Sequence, residues 1–261
     1  MSEMERPFLN KTALITGSSR GIGKAIAQIL SDKGCNIVLN YTRQGGSSEE
    51  QAYSLASEIQ AKGCKSLVIR ADIASKEAVK EIFLKIRENF DGLDFLILNA
   101  ARAPFRPLER LFERELKMLV EVNLYGNLFC IKEALPLLEQ SKGKIVFISS
   151  LGSRFYNPSY PLGIMKAAME AVVRDLSCSL ADKGIIANAV CGGIVKTDSF
   201  KILRQLWEAI EELPESQFVE PNEIAHTVAF LCSDESNGIR GQTIVVDRGL
   251  SNSLIGLRPK G

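Results

Sequence analysis

The 261-residue sequence predicts a doubly wound α/β domain built on a seven-stranded parallel sheet. Three observations predict it. Short apolar runs alternate with helical patterns along the whole chain. The fourth run, Phe95-Leu96-Ile97-Leu98, is apolar throughout, as a strand covered on both faces must be. The first run feeds directly into a glycine-rich turn, Thr16-Gly17-Ser18-Ser19-Arg20-Gly21-Ile22-Gly23. That turn opens onto Ile22, Ala25, Ile26, Ile29 and Leu30 at helical spacing.

Each element follows in order. Ala13-Leu14-Ile15 is the first strand and residues 36–40 the second. A loop with Gly46, Ser47 and Ser48 leads to a helix over 49–62, where Ser48 and Gln51 resemble a capping box. Strand three is Ser66–Arg70, followed by a helix over 75–90, and strand four is Phe95–Leu98. One long helical stretch is expected from 108 to 138, with Phe112, Leu116, Leu119 and Val120 at helical spacing. Strand five is 145–148, another helix runs to about 182, strand six is 185–190, and strand seven is Thr243–Val246. Right-handed crossovers make the sheet doubly wound, and ligands then gather at the carboxyl ends of the strands. No segment reads as a linker, so residues 1–261 are expected to form a single domain.

Composition narrows the function. Lys and Arg total 32 against 31 Asp and Glu, a balance that gives no reason to expect nucleic acid or an anionic membrane as partner. The amino terminus has no apolar stretch of the signal-peptide kind, and no run of apolar residues is long enough to cross a bilayer; the chain reads as cytosolic. Six scattered cysteines without a Cys-x-x-Cys pair suggest buried thiols, with neither a zinc site nor a disulfide framework.

A strand, a glycine turn and a helix amino terminus form a phosphate cradle, because bare backbone N–H groups and the positive helix end meet there. Gly17, Ser19, Arg20, Gly21, Ile22 and Gly23 are its candidate residues. The identity of the dinucleotide is argued from the second strand. Sites for the non-phosphorylated cofactor place an acid near its end to bond the ribose 2′-hydroxyl. From 33 to 48 there is no Asp or Glu, while Arg43 follows the strand and Arg20 lies in the turn. These guanidiniums suit a 2′-phosphate, so the expected cofactor is NADP(H). Asn40 and Tyr41, where that strand ends, join the expected cofactor set.

The glycine turn, Ala71-Asp72-Ile73, Leu98-Asn99-Ala100-Ala101, Asn123, Ile148-Ser149-Ser150 and Gly241-Gln242 together resemble the short-chain dehydrogenase/reductase family, with its Rossmann-type domain. The likeness covers almost the whole chain. It implies that Asp72 meets the adenine, with Ile73 beside it, that Asn99, Ala100 and Ala101 lie beside the adenosine ribose, and that Gly193, Val195 and Thr197 hold the nicotinamide amide. In this last segment the usual Pro-Gly has become Gly192-Gly193. More narrowly, Ser150-Leu151-Gly152-Ser153 and Ile239-Arg240-Gly241-Gln242-Thr243-Ile244 resemble type III enoyl-acyl carrier protein reductases.

The family resemblance implies hydride transfer aided by a tyrosine hydroxyl whose pKa a lysine ammonium lowers. Lys166 is the lysine, which also holds the nicotinamide ribose. The family spacing Tyr-x-x-x-Lys falls on Leu162 and the enoyl-reductase spacing on Ser159, with Tyr160 between them. Six residues along a regular helix leave side chains roughly 120° apart, so Tyr160 is expected just outside the helix, before Pro161. Tyr156 is the reserve. Ser150 is expected to bond a substrate carbonyl or the tyrosine, and Asn123 resembles the family's water-relay asparagine. His226, the one histidine, lies in a late amphipathic helix and suits packing or surface more than catalysis.

Residues 198–219, with Phe200, Leu203, Leu206, Trp207, Ile210, Leu213 and Phe218, suit a lid over an acyl chain or ordinary packing. The sequence therefore predicts an NADPH-dependent reductase of an acyl thioester, carried on acyl carrier protein or coenzyme A. Enoyl reduction is the first expectation, ketone reduction the alternative, and a catalytically silent cofactor-binding relative a third reading. The resemblance also implies a homodimer or homotetramer associating through the 108–138 and 169–180 segments.

Overall fold

The computed structural model describes residues 6–155, 160–206 and 213–252. Seven parallel strands form one sheet: β1 (Thr12–Ile15), β2 (Asn36–Tyr41), β3 (Ser66–Arg70), β4 (Phe95–Leu98), β5 (Lys144–Ser150), β6 (Ile186–Gly192) and β7 (Thr243–Val246). Their order is β3-β2-β1-β4-β5-β6-β7, so the chain reverses its direction of travel across the sheet between β1 and β4. Ile15 pairs with Leu39 on one side and Ile97 on the other, and the carboxyl ends of these strands mark the switch point where a doubly wound sheet binds its ligand.

Eight α-helices cover the sheet among the described residues: α1 (Gly21–Asp32), α2 (Ser47–Ala61), α3 (Lys76–Asn89), α4 (Glu113–Val120), α5 (Asn127–Ser141), α6 (Leu162–Ser179), α7 (Asp198–Leu206) and α8 (Pro221–Cys232). Alternation along each strand divides the core into two layers. Leu14, Val38, Leu96 and Phe147 face α3, α5 and α6 through Ile82, Phe83, Ile131 and Met169. Ile15, Leu39, Ile97 and Ile148 face α1, α2 and α8 through Ile26, Leu30, Leu55 and Ile224. Each such side chain contributes about 1.5–3 kcal/mol on burial. With both layers this apolar, the sheet supplies a rigid floor for the loops at its carboxyl edge.

Three expectations about helices are corrected. The stretch from 108 to 138 is not one helix: a 3-10 turn (Leu108–Arg110), α4, a π-helical segment (Glu121–Gly126) and α5 follow one another. The π turn brings Asn123 inside and sets Gly126 against Ile73, where a Cβ would lie 2.9 Å from Ile73 Cγ1. Ser48 and Gln51 do not cap α2. That helix begins after Gly46, and Glu49 reaches back to the Gly45 N–H at 2.5 Å. Helix α6 ends at Ser179, and a 3-10 turn (Ala181–Lys183) continues from it. No described helix is long and apolar enough to cross a membrane.

Candidate active site

The cradle comes first along the chain. Gly17 and Gly21 adopt left-handed φ angles of 64° and 55°, which favour glycine. A Cβ on Gly23 would lie 2.5 Å from the Gly17 carbonyl oxygen and 2.6 Å from Asn99 Nδ2, so turn and helix meet at a distance that only glycine permits. Helix α1 starts within the turn, at Gly21, with no side-chain cap and no acid in its first turn. Its first N–H groups therefore point at the cleft with the positive end of the helix dipole behind them, an arrangement that fits a pyrophosphate.

Buried side chains hold this turn from beneath. Asn99 Nδ2 donates to the carbonyls of Thr16 and Gly17, both at 2.9 Å, and Thr16 Oγ1 accepts from the N–H groups of Asn99 and Ala100 at 3.0 Å. Asn40 Oδ1 accepts from Gly17 N–H at 3.2 Å while its Nδ2 donates to the Ala71 carbonyl at 3.0 Å. The expectation that Asn40 contacts the cofactor is thus corrected: it is 1% exposed and its side chain is spent tying the turn to the end of β3. Tyr41 is likewise buried, its hydroxyl donating to Glu49 Oε1 at 2.7 Å; burial and this bond push the phenol up to about 12. Ile73 is buried under the π turn. Asp72 remains exposed, bonding the Ala74 N–H at 3.0 Å.

The absence of acids from 33 to 48 misses Glu49, which returns to the end of β2 from the first turn of α2. The Tyr41 hydroxyl and the Gly45 N–H hold its carboxyl below the usual range. Arg43 is exposed. Arg20 is exposed as well and turns toward the other side of the cradle, 3.5 Å from Asp198 Oδ2 at the start of α7. Thr197 sits over the cradle: a Cβ on Gly21 would lie 3.5 Å from its Cγ2. Gly193 backs onto Asp247, and Val195 pairs with Val219 across the base of the 198–219 segment. Lys196 fastens that base through Glu215 at 2.5 Å and Glu220 at 2.8 Å. Within the segment Phe200 and Phe218 are buried against each other, with Leu203 and Leu213 around them. Trp207 and Ile210 lie outside the described residues, as do Tyr156 and Ser159.

The opposite rim carries the expected catalytic group. Tyr160 stands outside α6, before Pro161, as the spacing predicts. Helix α6 approaches the turn after β5 so closely that a Cβ on Gly163 would lie 1.9 Å from the Gly152 carbonyl oxygen. Two glycines in contact thereby bring Ser150 and the residues just before α6 to the same edge. Ser150 Oγ accepts from the Gly152 N–H at 3.3 Å, and its hydroxyl proton remains available to another acceptor.

The expected pairing of Tyr160 with Lys166 is corrected. No hydrogen bond joins them. Lys166 is 5% exposed; its ammonium donates to the Ile148 carbonyl at 2.6 Å and lies 4.7 Å from the centre of the Phe147 ring. Burial lowers this amine to about 8, opposed by the neighbouring Cys191 and Glu170. Tyr160 is instead pushed up to about 12, by burial. The reason is positional: off the helix, the phenol packs on Phe105, ring centres 4.8 Å apart and planes at 13°, while the lysine follows the buried face of α6.

Asn123 is buried with both ends of its amide engaged. Oδ1 accepts from the Arg102 N–H at 3.0 Å, and Nδ2 donates to the carbonyls of Arg102 at 2.6 Å and Leu119 at 2.7 Å. It anchors the loop after β4. One turn beyond Lys166, buried Glu170 accepts from Ser149 at 2.5 Å and Ser153 at 2.7 Å. Glu170 and Phe105 were both missed in the sequence. The i, i+4 relation of Lys166 to Glu170 was available as a signal; the Phe105 stack was not.

A family model described as enoyl-(acyl carrier protein) reductase matches residues 17–251. The chain belongs to the short-chain dehydrogenase/reductase family. Members of this family are nicotinamide-dependent oxidoreductases, in keeping with the cradle. Among its relatives is a 3-oxoacyl-[acyl-carrier-protein] reductase of Staphylococcus epidermidis, 35% identical, covering 93% of this chain and 99% of the relative. A 1-cyclohexenylcarbonyl-CoA reductase of Streptomyces collinus is 33% identical over 95% of this chain and 91% of the relative. A gluconate 5-dehydrogenase of Burkholderia cenocepacia, solved with NADP and tartrate, is similar in structure with a TM-score of 0.86 and 26% identity, covering 97% of this chain and 100% of the other. A short-chain dehydrogenase of the same organism, solved with NADP, has a TM-score of 0.84 and 28% identity, covering 95% of this chain and 100% of the other.

Proposed function

We propose that this family member is an NADP(H)-dependent reductase of a 3-oxoacyl thioester. The observation that carries the reading is Tyr160 placed just before α6, the helix whose Gly163 touches Gly152 two residues after Ser150, with the glycine cradle at the carboxyl edge of the same sheet. Relatives that match from end to end and are named for 3-oxoacyl substrates support it, and so the ketone reading stands ahead of the enoyl expectation. The NADP complexes among the similar structures, with exposed Arg20 in the cradle and exposed Arg43 just after β2, support the phosphorylated cofactor.

Gly17 to Gly23 would hold the pyrophosphate, Asp72 the adenine, Asn99 to Ala101 the adenosine ribose side, and Gly193 to Thr197 the nicotinamide amide. Bound NADPH would supply the hydride. Ser150 positions the substrate carbonyl by donating its hydroxyl proton, and Tyr160 delivers a proton to the oxygen as that oxygen gains charge. A phenol pushed up to about 12 by burial is protonated throughout the neutral range, and it is a weaker acid than the lowered phenol that the family resemblance implies. Lys166 contributes a fixed positive charge at the end of β5, favouring the oxyanion. The described parts of the 198–219 segment, 198–206 and 213–219, would close the acyl side, with Phe200 and Phe218 as their apolar centre. Phe112, Leu116 and Tyr125 are exposed on the helical stretch through which dimers would form.

The enoyl reading has specific support of its own. Leu162 occupies the Tyr-x-x-x-Lys position, the matched family model is described as an enoyl reductase, and one relative is named for an unsaturated thioester. Tyr160 would then hold the enolate oxygen. The deciding experiment follows NADPH consumption with a short 3-oxoacyl thioester beside the matching trans-2-enoyl thioester. Consumption with the first alone is expected. Consumption with the second alone reverses the order of the two readings, and NADPH binding without turnover of either would favour a silent relative.

A further inference from the structure

We propose that Phe105 is a positioning residue for Tyr160, replacing the orientation that a place in the helix would have given. This rests on Tyr160 being the proton donor. A tyrosine one turn before Lys166 would stand inside α6, its backbone fixed by helical hydrogen bonds and its ring direction restricted by the preceding turn. Here that place belongs to buried Leu162, and Tyr160 precedes Pro161 with no helix around it. Something else must hold the ring, and the contact that does so is the parallel stack on Phe105.

The loop that carries Phe105 is itself held at both ends. At one end Asn123 grips Arg102 through both its N–H and its carbonyl. At the other Arg106 lies 3.5 Å from Glu115 and covers the Phe112 ring at 4.8 Å. Pro104 and Pro107 flank the Phe105-Arg106 pair and restrict its backbone. A fixed loop with a flat apolar ring is a reference surface for the phenol. Offset stacking leaves the hydroxyl edge free to point along the rim while the ring face is fixed. Asn123 thus acts at long range: it sets the loop, the loop sets Phe105, and Phe105 sets Tyr160.

Four variants test this: Phe105→Leu, Phe105→Tyr, Tyr160→Phe and the double variant F105L/Y160F. Leucine keeps apolar volume and removes the flat face; tyrosine keeps the face. Expected for F105L are a roughly tenfold fall in kcat, an unchanged Kd for NADPH, and recovery to near the wild-type kcat in F105Y. A second readout needs neither substrate nor cofactor. Tyrosinate absorbance, taken as F105L minus F105L/Y160F, should show Tyr160 ionising at lower pH than in wild type minus Y160F, because the ring that buries it has gone.

If Y160F retains full turnover, Tyr160 is not the donor and the reading beneath the proposal fails. If Y160F is inactive while F105L matches wild type in kcat and in the tyrosinate midpoint, the positioning role is overturned and the donor role stands. Equal losses in F105L and F105Y with an unmoved midpoint also overturn it.

Discussion

The two rims of the cleft are held by different means. The cradle is fixed by backbone geometry and by buried amides: Asn99, Asn40 and Thr16 fasten it from below, and Gly23 packs where no larger residue fits. The Tyr160 rim is fixed by side-chain packing, by a pair of touching glycines and by a clamped loop. The 198–219 segment is tied down by ion pairs at its base. Buried hydrogen bonds to backbone tolerate little change, whereas packing and exposed pairs can be retuned one residue at a time. The difference teaches that cofactor binding and chemistry in this protein should separate cleanly under mutation.

The largest expected effect lies in the cradle. Gly23→Val forces Cβ and both methyl groups against the Gly17 carbonyl and Asn99, and should weaken NADPH binding about a hundredfold or more, read by fluorescence titration. Retained affinity would show that the turn is softer than its contacts imply. Next, Arg20→Glu should raise the KM for NADPH about tenfold and leave that for NADH nearly unchanged, since only the former carries the 2′-phosphate. Equal changes for both cofactors would remove Arg20 from the phosphate site.

Lys166 gives a pH signature with two opposite signs. Burial lowers its folded value to about 8, below its ordinary range, so it loses its charge as pH rises through that value. Activity that depends on the ammonium should fall above about pH 8. Stability should move the other way. The unfolded chain binds the proton more tightly, so between the folded and unfolded values this group makes the folded state more stable as pH rises. Comparing kcat and Tm against pH for wild type and Lys166→Met isolates both effects. A wild-type Tm profile that matches the variant's across this window would mean the amine titrates normally.

The smallest effect concerns Asp198, which holds Arg20 in a pair more than half exposed on both sides. Asp198→Asn should free the guanidinium and tighten NADPH about two- to fivefold, with no change for NADH. Weaker NADPH binding would instead make Asp198 part of the closed lid.

The contrast between rims also explains what the sequence made legible. The sheet, its strand positions and the cradle were readable because each is a local pattern: an apolar run, a glycine turn, a helical repeat. Even the placement of Tyr160 outside the helix followed from local chemistry, the residue before a proline. What was not legible depends on groups brought together across the fold. Nothing near Asn40 announces that it turns beneath the cradle, and nothing near Glu49 announces its return to Tyr41. The single long helix expected over 108–138 broke because a π turn is needed to carry Asn123 onto Arg102, a tertiary demand. The Lys166–Tyr160 pair failed for the same kind of reason, since spacing gives direction along a helix but not the ring that competes for the phenol.

The most direct measurement is the pair of constants for Tyr160→Phe: Kd for NADPH and kcat with the thioester that wild type consumes. The separation of the two rims predicts an unchanged Kd and a kcat lower by about 10²–10⁴-fold. A variant that turns over as fast as wild type would contradict it, leaving a sound cradle whose chemistry does not pass through Tyr160.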